Sequence, residues 1–341
     1  MSKHIRKVLI WPLAVLVLAI LLNLSLGSVY IPMDYIFVSV FTNQTINETW
    51  HYILFDYRLP KAITAILVGG GLSVSGLMMQ TLFRNPLAGP FVLGISSGAS
   101  LGVALLVLGS GLLSGFGATL LSGPWAMVIA SASGSFLVLL AVIGASSKIK
   151  DAMALLIIGL MFGSLTGAVV SVLSYFSRAE ALQQFVFWSF GGLGHLSWTA
   201  VMILLLCVFL GLVIALASLK SMNALLLGPR YAQSLGVSIK KSTFLMVLAT
   251  SILAGGITAF AGPIAFIGLA VPHLVRQIMN TPDHKIMLPS SFIWGSIIML
   301  LCDTAAQIPF SSMTLPINAI TSILGAPVVI WILMRRKNLM F

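Results

Sequence analysis

Few residues in this chain carry side chains suited to chemistry. Its 341 residues include only 7 acids and 5 histidines, against 18 lysines and arginines. The phosphate-cradling pattern G-x-x-x-x-G-K-[ST] does not occur, and the sequence has no Gly-Lys dipeptide, so it cannot hold ATP by that route. H-E-x-x-H is missing too, and no nucleophile–base pair stands out. Cys207 and Cys302 both fall inside apolar runs. Buried free thiols there behave as small hydrophobes, so neither a disulfide framework nor a metal site is expected. Asp303 is the one acid near the edge of an apolar run. Intramembrane acids are functional candidates by default, but the simpler reading is an interface residue satisfied by Thr304 or by backbone groups. His273, just after Pro272, reads as structural, and His195 as an outer-loop residue in which a cargo contact is not favoured. No enzyme and no resident cofactor are expected.

The elements that must position these residues are set by composition. Apolar residues make up 59% of the chain and charged ones 7%, with a mean hydropathy of +1.10. Soluble domains carry about 25% charged residues, so lipid is the main solvent, and residues 1–341 read as one transmembrane domain. A charge at mid-bilayer costs about 2.5–3.5 kcal/mol on insertion scales, so charges mark span boundaries. Lys3, Arg6 and Lys7 lead into an apolar run too long for a signal peptide, with no clear cleavage site. It is read as a first membrane helix.

About ten membrane helices result, near 8–28, 61–82, 90–109, 123–145, 152–175, 198–219, 242–261, 263–280, 286–304 and 314–334, with both termini cytoplasmic. That count puts 15 of the 18 basic residues inside and leaves Arg58, Lys61 and Arg178 outside. The positive-inside rule thus accounts for the net charge of +11 without nucleic acid. Nine or eleven helices would spoil the asymmetry.

Small residues recur at four-residue spacing in Gly94–Gly98–Gly102 and Gly159–Gly163–Gly167. On one helix face they let backbones pack closely in lipid; lining a translocation path is the alternative use. Breaks are expected at Asn85–Pro90, between Gly109 and Pro124, at Gly262-Pro263 and around Val271-Pro272-His273. Non-helical backbone at membrane depth is tolerated where protein buries it or water reaches it. LVGGGLSVSG (67–76) is faintly similar to LAGGITAFAG (253–262), in spans of opposite direction, as in an inverted repeat.

The segment from Lys220 to Lys241 is too short and too charged to span. Ser221 or Asn223 is expected to cap a short helix through Leu227. Gly228-Pro229 stops it and starts another, with Pro229 in the first turn and Gly236 at the end. The pair carries Leu225, Leu226, Leu227, Tyr231, Ala232 and Leu235. Helices this short are marginal in water, so they either lie on the bilayer or on neighbouring loops, or seat an apolar knob in a groove of a cytoplasmic partner. Arg58 and Lys61, in RLPK, either anchor at the lipid interface or meet an acidic patch on an external protein.

These motifs together resemble the FecCD-type permeases for iron-siderophores, haem and cobalamin, the membrane subunits of type II ABC importers. RLPKAITAILVGGGLSVSGLMMQTLFRNPLAGPFVLGISSGAS (58–100) looks like that family's opening signature, and AGPIAFIGLAVPHLVRQI (261–278) is similar to its second. LGPRYAQSLGV (227–237) sits where the family has its ATPase-coupling helices, and LGAPVVIWILMRR (324–336) matches its closing helix. The resemblance implies an all-α integral membrane fold of ten helices, a homodimer and a central path. It also implies two cytoplasmic ABC ATPase subunits and a periplasmic or lipid-anchored substrate-binding protein. Carried over by position, Leu227, Gly228, Pro229, Ala232, Leu235 and Gly236 would form the coupling site. Asn85 and Leu87 would lie near the cytoplasmic gate, and Arg58 and Lys61 would meet the binding protein.

The chain departs from the family at Gln307, where an Arg is common, and at Thr314-Leu315-Pro316, where Glu-Leu-Pro is common; this puts a third basic docking contact in question. The expectation is an inner-membrane importer permease, with ferric siderophore as first cargo, haem second and cobalamin third. The alternative is an ion-coupled secondary transporter. That class would bury acids along its path, and only Asp303 qualifies. A structural or receptor subunit without transport is the third class.

Overall fold

The computed structural model describes residues 3–42, 47–109, 125–148, 152–194, 196–308 and 313–334. His195, the connection over 110–124, Lys150 and the basic run 335–337 lie outside the described residues. In chain order the helices are α1 (Lys3–Ser25), α2 (Met33–Thr42), α3 (Glu48–Tyr52), α4 (Leu59–Phe83), α5 (Ile95–Val107), α6 (Ala126–Lys148), α7 (Ala152–Phe176) and α8 (Ala179–Ser189). Next come α9 (Trp198–Ala217), α10 (Leu219–Leu226), α11 (Pro229–Ser234), α12 (Ile239–Ala261), α13 (Ile267–Met279), α14 (His284–Ala306) and α15 (Ile317–Met334). No strand occurs among the described residues. Each of the ten expected spans has its helix: α1, α4, α5, α6, α7, α9, α12, α13, α14 and α15.

Among the described residues, five helical stretches are long and apolar enough to cross a membrane: Glu48–Phe83, Ile157–Phe176, Trp198–Ala217, Ile239–Ala261 and His284–Ala306. At 1.5 Å per residue a 23-residue helix such as α12 is about 35 Å long, enough for the hydrocarbon core. Ile10–Ser25, Ile95–Val107, Ala126–Val142 and Ile317–Trp331 are shorter apolar helices.

The core is built around α4. The most apolar window of Glu48–Phe83 is 89% buried, whereas that of Ile157–Phe176 in α7 is 11% buried. So α4 is the central pillar, and α7 presents Ile157, Met161, Leu165, Val172 and Phe176 outward. Glycine allows the close approach to α4: a β-carbon at Gly76 would collide with the Gly268 carbonyl of α13, and one at Gly69 with the Gly295 carbonyl of α14. The Gly98 and Gly102 face of α5 meets Gly134 and Ala130 of α6 in the same way. Packing is therefore the use of that first glycine stripe. In the second stripe, a β-carbon at Gly167 would meet open space.

Several boundaries differ from the sequence reading. The third span opens with a 3-10 turn, Pro90–Leu93, before α5 begins at Ile95. Residues 262–266 are non-helical, so α13 starts at Ile267 rather than 263. Protein groups pair with backbone in and beside the break: Ala265 N–H donates to Asn318 Oδ1 at 3.0 Å, Gly262 N–H to the Thr258 carbonyl at 3.0 Å, and Gly192 N–H to the Ala261 carbonyl at 2.9 Å. Phe266 takes φ +68°, and its side chain occupies the room that Gly325 leaves. The break expected at Val271-Pro272-His273 does not occur: α13 runs through Pro272, with His273 buried.

Candidate functional site at the two ends of the bundle

Polar residues gather at opposite ends of α4. Arg58, Lys61, Asp303, Gln307 and Thr314 line one cleft of about 710 Å³, together with the Gly191–Gly194 loop and residues 315–317. Thr81, Arg84, Asn85, Asn223 and His284 gather at the other end.

At the cleft end, Lys61 Nζ stands 3.0 Å from Asp303 Oδ1, joining the first turn of α4 to the last turn of α14. The other carboxylate oxygen accepts from Asn23 Nδ2 and from Gln307 Nε2, each at 2.9 Å. Asp303 is thus a satisfied acid, but not through the partners expected. Thr304 instead accepts from Asn23 and donates to the Leu300 carbonyl. Gln307, where the family commonly has Arg, is spent on Asp303.

Arg58 corrects the expectation of an outward-facing cation. Its side chain is 6% exposed, and Nη1 donates to the carbonyls of Leu24 at 2.6 Å and Ser25 at 2.9 Å, while Nη2 donates to the Val29 carbonyl. It caps the C-terminal end of α1, where unpaired carbonyls and the negative pole of the helix dipole favour a cation. Residues Ile53–Arg58 are π-helical, and this segment leads directly into α4. Its wider turn changes the phase of the helix face on which Arg58 stands. Lys61, with its side chain 19% exposed, is the more open of the two cations lining the cleft.

At the opposite end the two short helices form as expected, but from different caps. Ser221 Oγ donates to the Ser218 carbonyl, and Asn223 lies inside α10, so neither caps it. Gly228 adopts φ +105°, ψ 154°, Pro229 opens α11, and Gly236 comes after it at φ +81°. The pair has two faces. Met222, Leu225 and Ala232 are buried, whereas Leu227 (63% exposed), Tyr231 (53%) and Leu235 (58%) form an open apolar ridge. Ala232, expected to touch a partner, is corrected to an inward-packed residue at 0% exposure.

Beside this ridge lies the turn that ends α4. Arg84 takes a left-handed conformation, φ 47°, and Asn85 Oδ1 accepts the Leu87 N–H at 2.9 Å, shaping Asn85–Ala88. Leu87 is partly exposed. The sequence reading missed a third cluster here. Asp283 caps α14 by accepting the Lys285 N–H at 3.0 Å, and the His284 N–H donates to Asn223 Oδ1 at 2.9 Å. Hydrogen bonding from Lys285 first, then from Asn223, holds the Asp283 carboxyl below its ordinary range against partial desolvation, with nearby Lys285 and His284 adding to the effect. Thr-Pro-Asp-His before an apolar run was the available signal for that cap.

No group of His, Cys, Asp and Glu among the described residues could hold a metal ion. An apolar bundle with a charged cleft at one end and a greasy ridge on short helices at the other has the make-up of a multi-pass permease. Residues 15–335 match the model of the FecCD transport family, and the chain belongs to that family. It is 34% identical over 323 residues to the "Hemin transport system permease protein HmuU" of Yersinia pestis, covering 94% of this chain and 95% of the relative. It is 33% identical over 335 residues to the "Vitamin B12 import system permease protein BtuC" of Salmonella typhi, covering 98% and 96%. A solved structure described as an inward-facing metal-chelate type ABC transporter matches with a TM-score of 0.84 at 27% identity, covering 97% and 99%. The chain is accordingly a permease subunit of an ABC importer, multi-pass in a bacterial inner membrane. The ion-coupled alternative gains no support from these relatives.

Proposed function

We propose that this chain, paired with a second copy of itself, forms the membrane half of an importer that brings a metal chelate of the siderophore, haem or cobalamin type into the cytoplasm. Two separate ATPase subunits supply the energy. Both termini and the α10–α11 ridge face the cytoplasm, and a substrate-binding protein docks over the Lys61 cleft from outside. The observation that carries this reading is the ridge of Leu227, Tyr231 and Leu235, exposed on helices of eight and six residues. So short a pair is not stable alone. It is braced from beneath by Met222, Leu225 and Ala232, leaving an apolar surface at the water boundary for a partner's groove. Gly228 and Gly236 supply the two turns that shape it, while Asn85 and Leu87 stand beside it at the gate.

The cargo class rests on the relatives, whose names specify hemin, vitamin B12 and metal chelates. The order among siderophore, haem and cobalamin is separated by growth rescue with a panel of iron and corrin sources. For the coupling site, Leu227→Asp with Leu235→Asp should abolish ATPase co-purification while membrane insertion stays intact. Co-purification at the wild-type level would overturn the assignment.

A further inference from the structure

One hydrogen-bonded chain crosses three helices at the ridge end. His284, at the start of α14, is 1% exposed. Its Nδ1 lies 2.8 Å from Asn223 Oδ1 on α10, and its Nε2 lies 2.8 Å from Thr81 Oγ1 on α4. The orientation of the Asn223 amide is determined by its other partners. Its nitrogen donates to Asp283 Oδ1 at 2.7 Å, and its oxygen accepts the His284 backbone N–H at 2.9 Å. That oxygen cannot donate, so His284 Nδ1 must carry a proton. In the neutral ring Nε2 then accepts from the Thr81 hydroxyl. Thr81 has a second acceptor for its single proton, the Leu77 carbonyl at 2.8 Å. If the hydroxyl turned to that carbonyl, the buried His284 Nε2 would lose its donor.

Thr81 is joined directly to the gate turn. The Arg84 N–H donates to the Thr81 carbonyl at 3.3 Å, and the Asn85 N–H to the Gln80 carbonyl at 3.1 Å. Arg84 also reaches back to the ridge: a β-carbon on Gly228 would stand 3.7 Å from its Nη1.

We propose that Asn223, His284 and Thr81 are a positioning relay, carrying displacement of the α10–α11 ridge to the Arg84–Ala88 turn at the foot of α4. The inference rests on the reading of that ridge as the ATPase-docking surface. Buried polar groups tolerate little misalignment, because an unpaired one costs about 1–3 kcal/mol. A shift of α10 must therefore be matched by the His284 ring and by Thr81, or the chain breaks. None of the three residues lies on the exposed ridge, so they govern transmission rather than docking.

The test uses the full complex with its ATPase in lipid. Leu87→Cys is introduced into a Cys207→Ala, Cys302→Ala background and labelled with a membrane-impermeant maleimide, without nucleotide and with ATP–vanadate. Coupling between sites of usual strength gives a change in labelling of about 5- to 150-fold. Thr81→Val, which keeps the shape and removes the hydroxyl, should abolish that change while ATPase co-purification and hydrolysis persist. His284→Ala should do the same, and Thr81→Ser should restore the change. A full nucleotide-dependent change in Thr81→Val or His284→Ala overturns the relay but leaves the docking reading standing. An ATPase that fails to co-purify with the parent protein overturns both.

Discussion

Lys61 and Asp303 form an ion pair of 3.0 Å that closes the first turn of α4 onto the last turn of α14. Because Asp303 also accepts from Asn23 and Gln307, the pair ties α1, α4 and α14 together through one buried carboxylate.

Asp303→Ala should therefore cost more stability than Lys61→Ala. Removing the acid takes their acceptor from the Gln307 amide and the ammonium, while Asn23 keeps Thr304 and the Leu300 carbonyl. Lys61, partly exposed, recovers some hydration, so about 2–4 kcal/mol is expected rather than the full penalty of a broken buried pair. Thermal unfolding in detergent measures both variants. Equal losses would show that the Gln307 amide finds another partner.

Arg58→Lys should destabilise the junction of α1 with α4 by about 1–3 kcal/mol, since an ammonium cannot span three carbonyls as the guanidinium does. Because the site is buried, the loss should not vary with salt. Normal stability, with binding-protein association weakened only at low ionic strength, would return Arg58 to a docking role.

Gly228→Ala should weaken transport and ATPase attachment together. The backbone at φ +105°, ψ 154° lies where a side chain costs about 1–3 kcal/mol, and relaxing it would swing Leu227 relative to Leu235. Space is not the obstacle, as the nearest atom to an added β-carbon is at 3.7 Å. ATPase pull-down from membranes reads the outcome, and wild-type recovery would count against a strained turn.

The Asp283 cap has a definite pH sign. Its carboxyl titrates lower in the folded protein than its ordinary 3.8, so its stabilisation is complete above 3.8 and fades as pH falls through the folded value. The stability gap between wild type and Asp283→Asn should stay constant near neutrality and close only in strong acid. A gap that closes near neutral pH would point to another group.

Much of the segment from Lys220 to Lys241 is legible in the sequence because its signals are local. Gly228-Pro229 must break a helix whatever surrounds it, and Pro229 is suited only to a first turn. Asn223 misleads for the opposite reason. A cap is sought within its own helix, yet this amide serves α14, whose first residue lies 61 positions further on. Arg58 misleads because the carbonyls it caps lie 29 to 34 residues earlier. Ala232 and Leu235 both read as ridge residues, because hydrophobicity alone does not say which apolar side chain of a short helix faces inward.

Alone, the sequence determined where the membrane helices lie, several of the segments that break, the membrane as solvent and the family, since apolar length, charge spacing and motif order are properties of contiguous residues. The tertiary structure decided which polar side chains are free. Lys61 remains open to the cleft while Arg58 is spent on α1, and Leu227 is exposed while Ala232 is buried. The His284 chain exists only where α4, α10 and α14 converge. Hydrogen bonds form at about 3 Å between residues far apart in the chain, and only packing brings such groups within reach.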